Sequence, residues 1–207
     1  GSWAGLVDWE NELDKHYLEA LRMLGATKNP RLFDADKALK DLAMEIGKEK
    51  EFHHPNVAVY FGETGREVAD PYFNGEGPSR TGCVHCGGCM TGCRYNSKNT
   101  LDKNYLFFAQ KLGAEIFAEN EVVGVEPMNG GVGEDGYQIS FKSSTKMFGG
   151  RKEIRSKGVV FSGGVMGTVK LLLKLKSTTL PGLSDMVGGD IRTNNETIIS
   201  VSTLRDD

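Results

Sequence analysis

The chain has 207 residues, enough to bury a core in one large domain or in parts of two. Hydrophobic residues make up 39% and charged residues 26%, ordinary values for a globular protein, so the composition does not indicate disorder. A net charge of -3 gives no electrostatic drive toward nucleic acid, and the apolar runs fall far short of the roughly 20 residues that span a bilayer. We therefore expect a small-molecule ligand, with no nucleic-acid partner and no transmembrane segment.

The first 50 residues predict two amphipathic helices. Apolar residues recur at helical spacing over residues 9–24, behind the capping residue Asp8 and ahead of Gly25, which is suited to end a helix. A second stretch, residues 34–47, has acidic residues near its start, apolar residues on one face and a glycine at its end. We expect the two helices to form a pair.

The next region predicts one strand and one long loop. Residues 57–61 form a short apolar run bounded by Pro and Gly, as is typical of a strand. Residues 62–82 are polar and rich in Gly and Pro, which favours either an ordered loop over a site or a mobile excursion. The sequence leaves both interpretations open.

Further along, the pattern predicts a helix and a small antiparallel meander. Residues 99–113 place apolar side chains on one helical face and end at a glycine. Three short strands then follow, separated by glycine-rich turns: residues 115–117, 121–126 and 137–141. Gly131, Gly133 and Gly136 match a dinucleotide-binding pattern, but a strand follows them where that pattern needs a helix, so we interpret them as a hairpin turn.

Near the end, a strand is predicted to run through glycines into a helix. Residues 158–161 form a continuous apolar run, and Gly163 and Gly164 separate it from a helical stretch over residues 165–175. This order suggests a doubly wound sheet. Glycines at such a position either let a ligand approach the backbone closely or form a plain strand-to-helix turn.

All four cysteines lie within eleven residues, as Cys83, Cys86, Cys89 and Cys93. They are too close together to staple a domain of this size with disulfides, which favours a reducing, cytoplasmic location. The spacing Cys-x-x-Cys-x-x-Cys-x-x-x-Cys matches the bacterial ferredoxin run, although Arg94 stands where that run has Pro. An iron-sulfur cluster, a structural zinc ion and reduced cysteines without metal are all compatible with this pattern.

Several ordered motifs resemble the cholesterol-oxidase-like branch of the glucose-methanol-choline family of flavoenzymes. The resemblance is strong over about residues 82–200 and weaker over residues 17–25. The motifs that carry it are residues 98–106, 112–116, 121–125, 159–172, 180–184 and 188–194. The resemblance implies an α/β, mixed α+β fold in which part of an FAD-binding domain is combined with helical and substrate-domain pieces.

The resemblance also implies an activity and a set of cofactor contacts. The reaction would be hydride transfer from the carbon of a sterol-like or other alcohol to FAD. Val122 would offer its backbone to the adenine end of FAD, and Gly163 and Gly164 would approach the ribose and pyrophosphate. Gly167 would open the following helix, and Asn99 would lie on the loop leading to the isoalloxazine side.

Two departures from the family pattern limit what can be assigned. The family's N-terminal glycine fingerprint is missing, and its catalytic His and Asn belong to a segment beyond Asp207, so no catalytic residue is assigned. We expect an interior segment, inactive alone, that needs a Rossmann segment supplied in cis or in trans. The expected division is a helical and substrate-domain portion (residues 1–82), a cysteine-rich loop (83–97) and part of an FAD-binding domain (98–207). The alternative is an electron-transfer or structural module built on the four cysteines.

Overall fold

The computed structural model describes residues 4–192, and the chain divides into two compact units, Gly1–Ile116 and Phe117–Asp207. The fold is of the mixed α/β class. Its helices are α1 (Trp9–Met23), α2 (Asp34–Glu45), α3 (Tyr105–Lys111) and α4 (Val165–Lys176). Its strands are β1 (Thr27–Lys28), β2 (Asn56–Val57), β3 (Glu67–Val68), β4 (Arg80–Thr81), β5 (Asn120–Pro127), β6 (Tyr137–Ser143) and β7 (Lys152–Ser156).

The two N-terminal helices form as predicted. An Asp8 carboxylate oxygen accepts a hydrogen bond from the backbone N–H of Asn11 at 3.4 Å and so caps α1. The Asp36 carboxylate accepts one from the N–H of Phe33 at 2.8 Å and so closes the start of α2. However, α2 contains no buried residue and Leu42 is 50% exposed, so the expected helical pair has no buried interface to support it.

The glycine- and proline-rich stretch after β2 is an ordered loop, which decides between the two sequence interpretations. Strands β3 and β4 pair antiparallel across it. Between them the Asp70 carboxylate accepts hydrogen bonds from four backbone N–H groups, at 2.9–3.0 Å; the donors are Tyr72, Phe73, Gly75 and Gly77. The strand predicted at residues 57–61 is reduced to β2 and an isolated bridge between Val59 and Lys98.

The helix predicted over residues 99–113 is broken. A 3-10 turn, Leu101–Lys103, is separated from α3 by Asn104, whose φ of -140° and ψ of -97° are not helical. The Asn104 side chain accepts from the N–H of Tyr105 at 2.7 Å and donates to the carbonyl of Thr100 at 3.2 Å. Asn104 thus ends one turn and starts the next helix.

In the second unit, β5, β6 and β7 form a three-stranded antiparallel meander. The prediction of a strand at residues 115–117 was wrong. The third strand is β7, which pairs antiparallel with β6, so that Tyr137 lies opposite Ser156 and Phe141 lies opposite Lys152. The three glycines of the apparent dinucleotide pattern lie in the β5–β6 hairpin, which confirms that interpretation.

Helix α4 packs its apolar side onto this meander, where Val125, Ile139 and Leu175 form the buried core. The helix itself matches its prediction. Residues 158–161 ahead of it are not a strand, because no hydrogen-bonded neighbour strand lies beside them within residues 4–192. The expected doubly wound sheet is therefore absent from the described residues, whose named strands all pair antiparallel.

No helix in the described part of the chain is long and apolar enough to cross a membrane. The predicted motif at residues 188–194 extends past residue 192 and so lies partly outside the described residues.

Candidate functional site

The second unit contains a cavity of about 680 Å³ between the meander, the segment before α4 and the start of α4. Val122 on β5, Gly163 and Gly167 all line this cavity. Its floor is apolar and includes Val125, Ile139, Val159, Phe161 and Leu171. The fold thus brings three of the five residues assigned to the cofactor to one cavity, and Val122 lies far from the two glycines in sequence.

The start of α4 provides backbone with open space beside it. Gly164 has a φ of 80°, and a Cβ built at Gly164 or at Gly167 would meet nothing within 4 Å. The N–H of Gly163 donates to the hydroxyl of Thr168 at 3.1 Å, which fixes the glycine turn against the helix. Gly164 directly precedes α4 as its capping residue.

The charges near this helix start suit an anion. The first turn of α4 carries no acidic residue, so the positive end of the helix dipole is not neutralised there. Lys170 and Lys174 also line the cavity. Lys174 Nζ donates to the carbonyl of Val123 at 3.0 Å, which ties α4 to β5 at the cavity wall. This arrangement can hold a phosphate or pyrophosphate group.

Asn99, the fifth residue assigned to the cofactor, belongs to the first unit and is only 3% exposed. Its side chain accepts a hydrogen bond from Arg80 Nε at 2.6 Å and donates to the carbonyl of Leu24 at 3.0 Å. Both polar ends of this amide are therefore used inside the protein. In the structure Asn99 is a packing residue that connects two chain segments.

The sequence analysis did not single out Arg80, which is fully buried. Besides Asn99, its guanidinium donates to three backbone carbonyls at 2.7–3.0 Å; the acceptors are Pro78, Ser79 and Lys103. It also lies 5.6 Å from the ring centre of Tyr72. Nothing in the local sequence marks this arginine as buried, because its partners Asn99 and Lys103 lie 19 and 23 residues away along the chain.

A second cavity, of about 560 Å³, lies in the first unit and is lined by all four cysteines. All four are free thiols. Cys83 Sγ accepts a hydrogen bond from the N–H of His85 at 3.3 Å, and Cys93 Sγ accepts one from the N–H of Ser97 at 3.4 Å. Within residues 4–192, however, no three His, Cys, Asp or Glu side chains are grouped so that they could hold a metal ion.

The environment of Cys93 favours its thiolate. Partial burial raises the pKa of Cys93, but hydrogen bonds from the backbone of Ser97, Tyr95 and Lys98 lower it by more. The net effect is a pKa below the ordinary value of a cysteine. A thiolate is the form that binds a metal and the form that reacts as a nucleophile.

His85 is held in the wall of this cavity by aromatic contacts. The Phe61 ring stacks on it with a centroid distance of 5.7 Å and an angle of 16°, and the Phe33 ring lies 6.2 Å away. The backbone of His85 is left-handed, with a φ of 57°. These contacts fix the loop between Cys83 and Cys86 in one conformation.

Comparison with known proteins finds clear relatives. The chain is 47% identical over 208 residues to a cholesterol oxidase of Acinetobacter baumannii and 40% identical over 209 residues to a cholesterol oxidase of Mycobacterium tuberculosis. These alignments cover 97% and 98% of this chain but only 37% and 36% of the relatives. The chain therefore spans little more than a third of the length of the proteins it resembles. No protein-family model and no solved structure matches it.

Proposed function

We propose that this chain is part of an FAD-dependent oxidoreductase that oxidises an alcohol, and that the cavity beside α4 receives part of the FAD. The observation that carries the proposal is the meeting of Val122, Gly163 and Gly167 around one cavity. These are positions that the family resemblance of the sequence assigns to the cofactor. The similarity to two cholesterol oxidases over almost the whole chain supports the same class of enzyme.

The residues present fit an extended dinucleotide. Backbone groups of Val122 would face the adenine end, and the open glycine turn at Gly163 and Gly164 would let the ribose and pyrophosphate come close. The start of α4 would stabilise the negative charge of the pyrophosphate with its free N–H groups. The bound flavin would supply the chemistry of hydride acceptance.

The remaining parts of the site are proposed to come from sequence outside these 207 residues. The chain provides no residue to which we assign catalysis, and the relatives continue well beyond the aligned third. A Rossmann segment would complete the cofactor site in cis or in trans. The chain alone is then expected to be inactive. A sterol-like alcohol is proposed as substrate because the relatives are cholesterol oxidases, and a cytoplasmic location because the four cysteines are too clustered for a disulfide framework.

A glycine substitution tests the cofactor site. In the full-length protein that contains this chain, Gly167→Val would place a branched side chain in space that no protein atom occupies. The change should therefore spare the fold and exclude the cofactor, with bound FAD falling at least about tenfold, as when about 1.4 kcal/mol or more of binding is lost. The measurement is the visible flavin absorption of the purified protein.

Gly182→Val is the matched control. Gly182 also has nothing within 4 Å of its built Cβ, but it does not line the cavity, so FAD content should stay as in the wild type. Equal FAD content in both variants would refute the cofactor assignment.

Mixing the wild-type protein with cholesterol without oxygen should bleach the flavin absorption. If only short-chain alcohols bleach it, the sterol-like substrate is wrong and the oxidoreductase assignment stands.

A further inference from the structure

We propose that the cysteine loop, defined as Cys83 to Cys93, binds an iron-sulfur cluster in the cavity that its four cysteines line. This proposal stands independently of the FAD site. It rests on four observations that agree: the ligand spacing, the shared cavity, the apolar walls and the backbone geometry of the loop.

The spacing of the cysteines favours a cluster over a single zinc ion. The order of two, two and three intervening residues matches the ferredoxin run, in which the first three cysteines hold one cluster. The fourth cysteine of that run holds the other cluster in two-cluster ferredoxins, whereas Cys93 lines the same cavity as the first three and is proposed as the fourth ligand. Structural zinc sites usually join two cysteine pairs that lie about 12–20 residues apart, so that two knuckles approach the metal from opposite sides. The cysteine loop has no room for such a separation, because eleven residues contain all four thiols.

The structure places all four thiols around one space. Cys83, Cys86, Cys89 and Cys93 come from different turns of the loop, yet each lines the same cavity of about 560 Å³. Such a space can receive an inorganic core larger than one ion. As the side chains stand, no three donors in the described residues group tightly enough for a metal. Cluster binding would therefore require rotation of cysteine side chains into the cavity, which the exposed Cys86 can make freely.

The walls of the cavity suit an anionic, water-sensitive group. Aliphatic and aromatic side chains form most of the surface around the thiols; they include Phe33, Val57, Val59, Phe61, Val84 and Met90. No Asp or Glu is among the lining residues that the structure describes, and Lys98 is the cation among them. Apolar walls limit the access of solvent to a cluster, and a nearby cation offsets the negative charge of its four thiolates.

The backbone of the loop turns its N–H groups toward sulfur. Left-handed φ values occur at His85 (57°), Gly87 (71°) and Gly92 (107°). Thr91, with φ -92° and ψ 0°, directly precedes Gly92, and this right-handed then left-handed order forms the type of N–H concavity found at many iron-sulfur sites. Two other backbone N–H groups donate to sulfur: His85, within the loop, donates to Cys83, and Ser97, just after the loop, donates to Cys93. Hydrogen bonds of this kind stabilise cluster-bound thiolates.

The experiment is anaerobic purification of the protein, followed by incubation with sulfide and equal amounts of ferrous and ferric iron, and removal of the excess. We expect iron and acid-labile sulfide in equal amounts, about two to four of each per chain, and an electron paramagnetic resonance signal after reduction with dithionite. Cys86→Ala should lower bound iron to about one tenth or less, because one of four ligands is lost. Cys86 is exposed, so its truncation opens no hole in the core.

Arg94→Lys is the matched control. Arg94 lies next to Cys93, is exposed and does not line the cavity, so this variant should keep its iron. The proposal is overturned if the wild-type protein, still folded by circular dichroism, takes up no iron and sulfide, or if it takes up only one zinc ion. It is also overturned if Cys86→Ala and Arg94→Lys retain equal iron. Flavin is measured separately in each sample, so failure of this proposal is distinguishable from failure of the proposed FAD site.

Discussion

The guanidinium of Arg80 donates from Nε to Oδ1 of Asn99 at 2.6 Å, and both side chains are almost completely shielded from solvent. The same amide donates onward to the carbonyl of Leu24, at the end of α1. Burial lowers the pKa of Arg80, because it takes the charged guanidinium out of water. The four acceptors described for this guanidinium are neutral oxygens. The pair therefore joins α1, strand β4 and the turn before α3 through directed hydrogen bonds.

The first prediction concerns this pair. Arg80→Lys keeps a positive charge but cannot reach the four acceptors that the planar guanidinium serves. Acceptors left unpaired in a buried site are costly, so the variant should lose about 2–4 kcal/mol of unfolding free energy. Urea denaturation followed by circular dichroism measures this loss.

Arg66→Lys serves as its control. Arg66 lies in the same loop region but forms an exposed pair with Glu63, so the change should alter stability by less than about 0.5 kcal/mol. If the two arginine variants were equally stable, the role of Arg80 as a structural centre would be wrong.

The second prediction concerns pH. Partial burial raises the pKa of Asp70, but its four backbone donors lower it by more, so the folded state has a depressed pKa. A depressed pKa contributes stability that is present above the pKa of the unfolded chain, about 3.9, and is lost as the pH falls through the folded value. Asp70→Asn replaces one carboxylate oxygen by an NH2 group, which cannot accept a hydrogen bond from the backbone N–H groups. The variant should therefore lose about 1–3 kcal/mol of unfolding free energy at neutral pH.

The difference between wild type and Asp70→Asn should shrink as the pH falls below about 4, because the unfolded wild-type chain then binds a proton while the folded carboxylate is still ionised. The loss is complete once the pH is below the folded pKa as well. Unfolding curves at several pH values test this. Asp41→Asn, an exposed change on α2, should leave the curve almost unaltered at every pH. A stability difference that stays constant down to low pH would contradict the carboxylate role.

Local signals were sufficient for some elements and not for others. Helices α1, α2 and α4 were predictable because capping residues, helical periodicity and terminal glycines agree. Strand β7 was missed because all five of its residues are exposed, so its side chains show no inward-facing apolar pattern. Its conformation is decided by pairing with β6, which is information that the segment itself does not contain.

The residues of the candidate site were likewise only partly predictable from local sequence signals. The glycines before α4 were predictable from their place between an apolar run and a helix. Asn99 was assigned to the cofactor by resemblance, but its hydrogen bonds are made inside the first unit. Its partner Arg80 is 19 residues away along the chain, and that contact arises only when the intervening loop folds back. Such long-range polar contacts leave no periodic trace in the sequence.

The third prediction uses a glycine in the β5–β6 hairpin. Gly136 has a φ of 95°, and a Cβ placed there would lie 2.6 Å from the carbonyl oxygen of Ser156 on the neighbouring strand. Gly136→Ala should therefore destabilise the meander by about 1–3 kcal/mol, from backbone strain and a displaced strand. Hydrogen exchange of the β6 amides measures this locally.

Gly150→Ala is the comparison for that variant. Gly150 lies just before β7 and has nothing within 4 Å of its built Cβ, so the β6 amides should exchange as in the wild type. Equal protection in the two variants would show that the hairpin does not depend on a glycine at position 136.

The fourth prediction concerns the apolar segment before α4, residues 158–161. Val160 is 90% exposed, and within residues 4–192 no backbone hydrogen bond joins residues 159–161 to a neighbouring strand. Unpaired extended backbone with apolar side chains is a template for association with another chain. The 207-residue chain alone should therefore self-associate as its concentration rises, and Val160→Lys should weaken that association at least about fivefold, which corresponds to about 1 kcal/mol. Sedimentation velocity over a range of concentrations gives the dissociation constant.

Met147→Lys, at an equally exposed position in a turn, should change this dissociation constant little. If both lysine variants weaken association equally, general charge repulsion and not the unpaired segment is responsible.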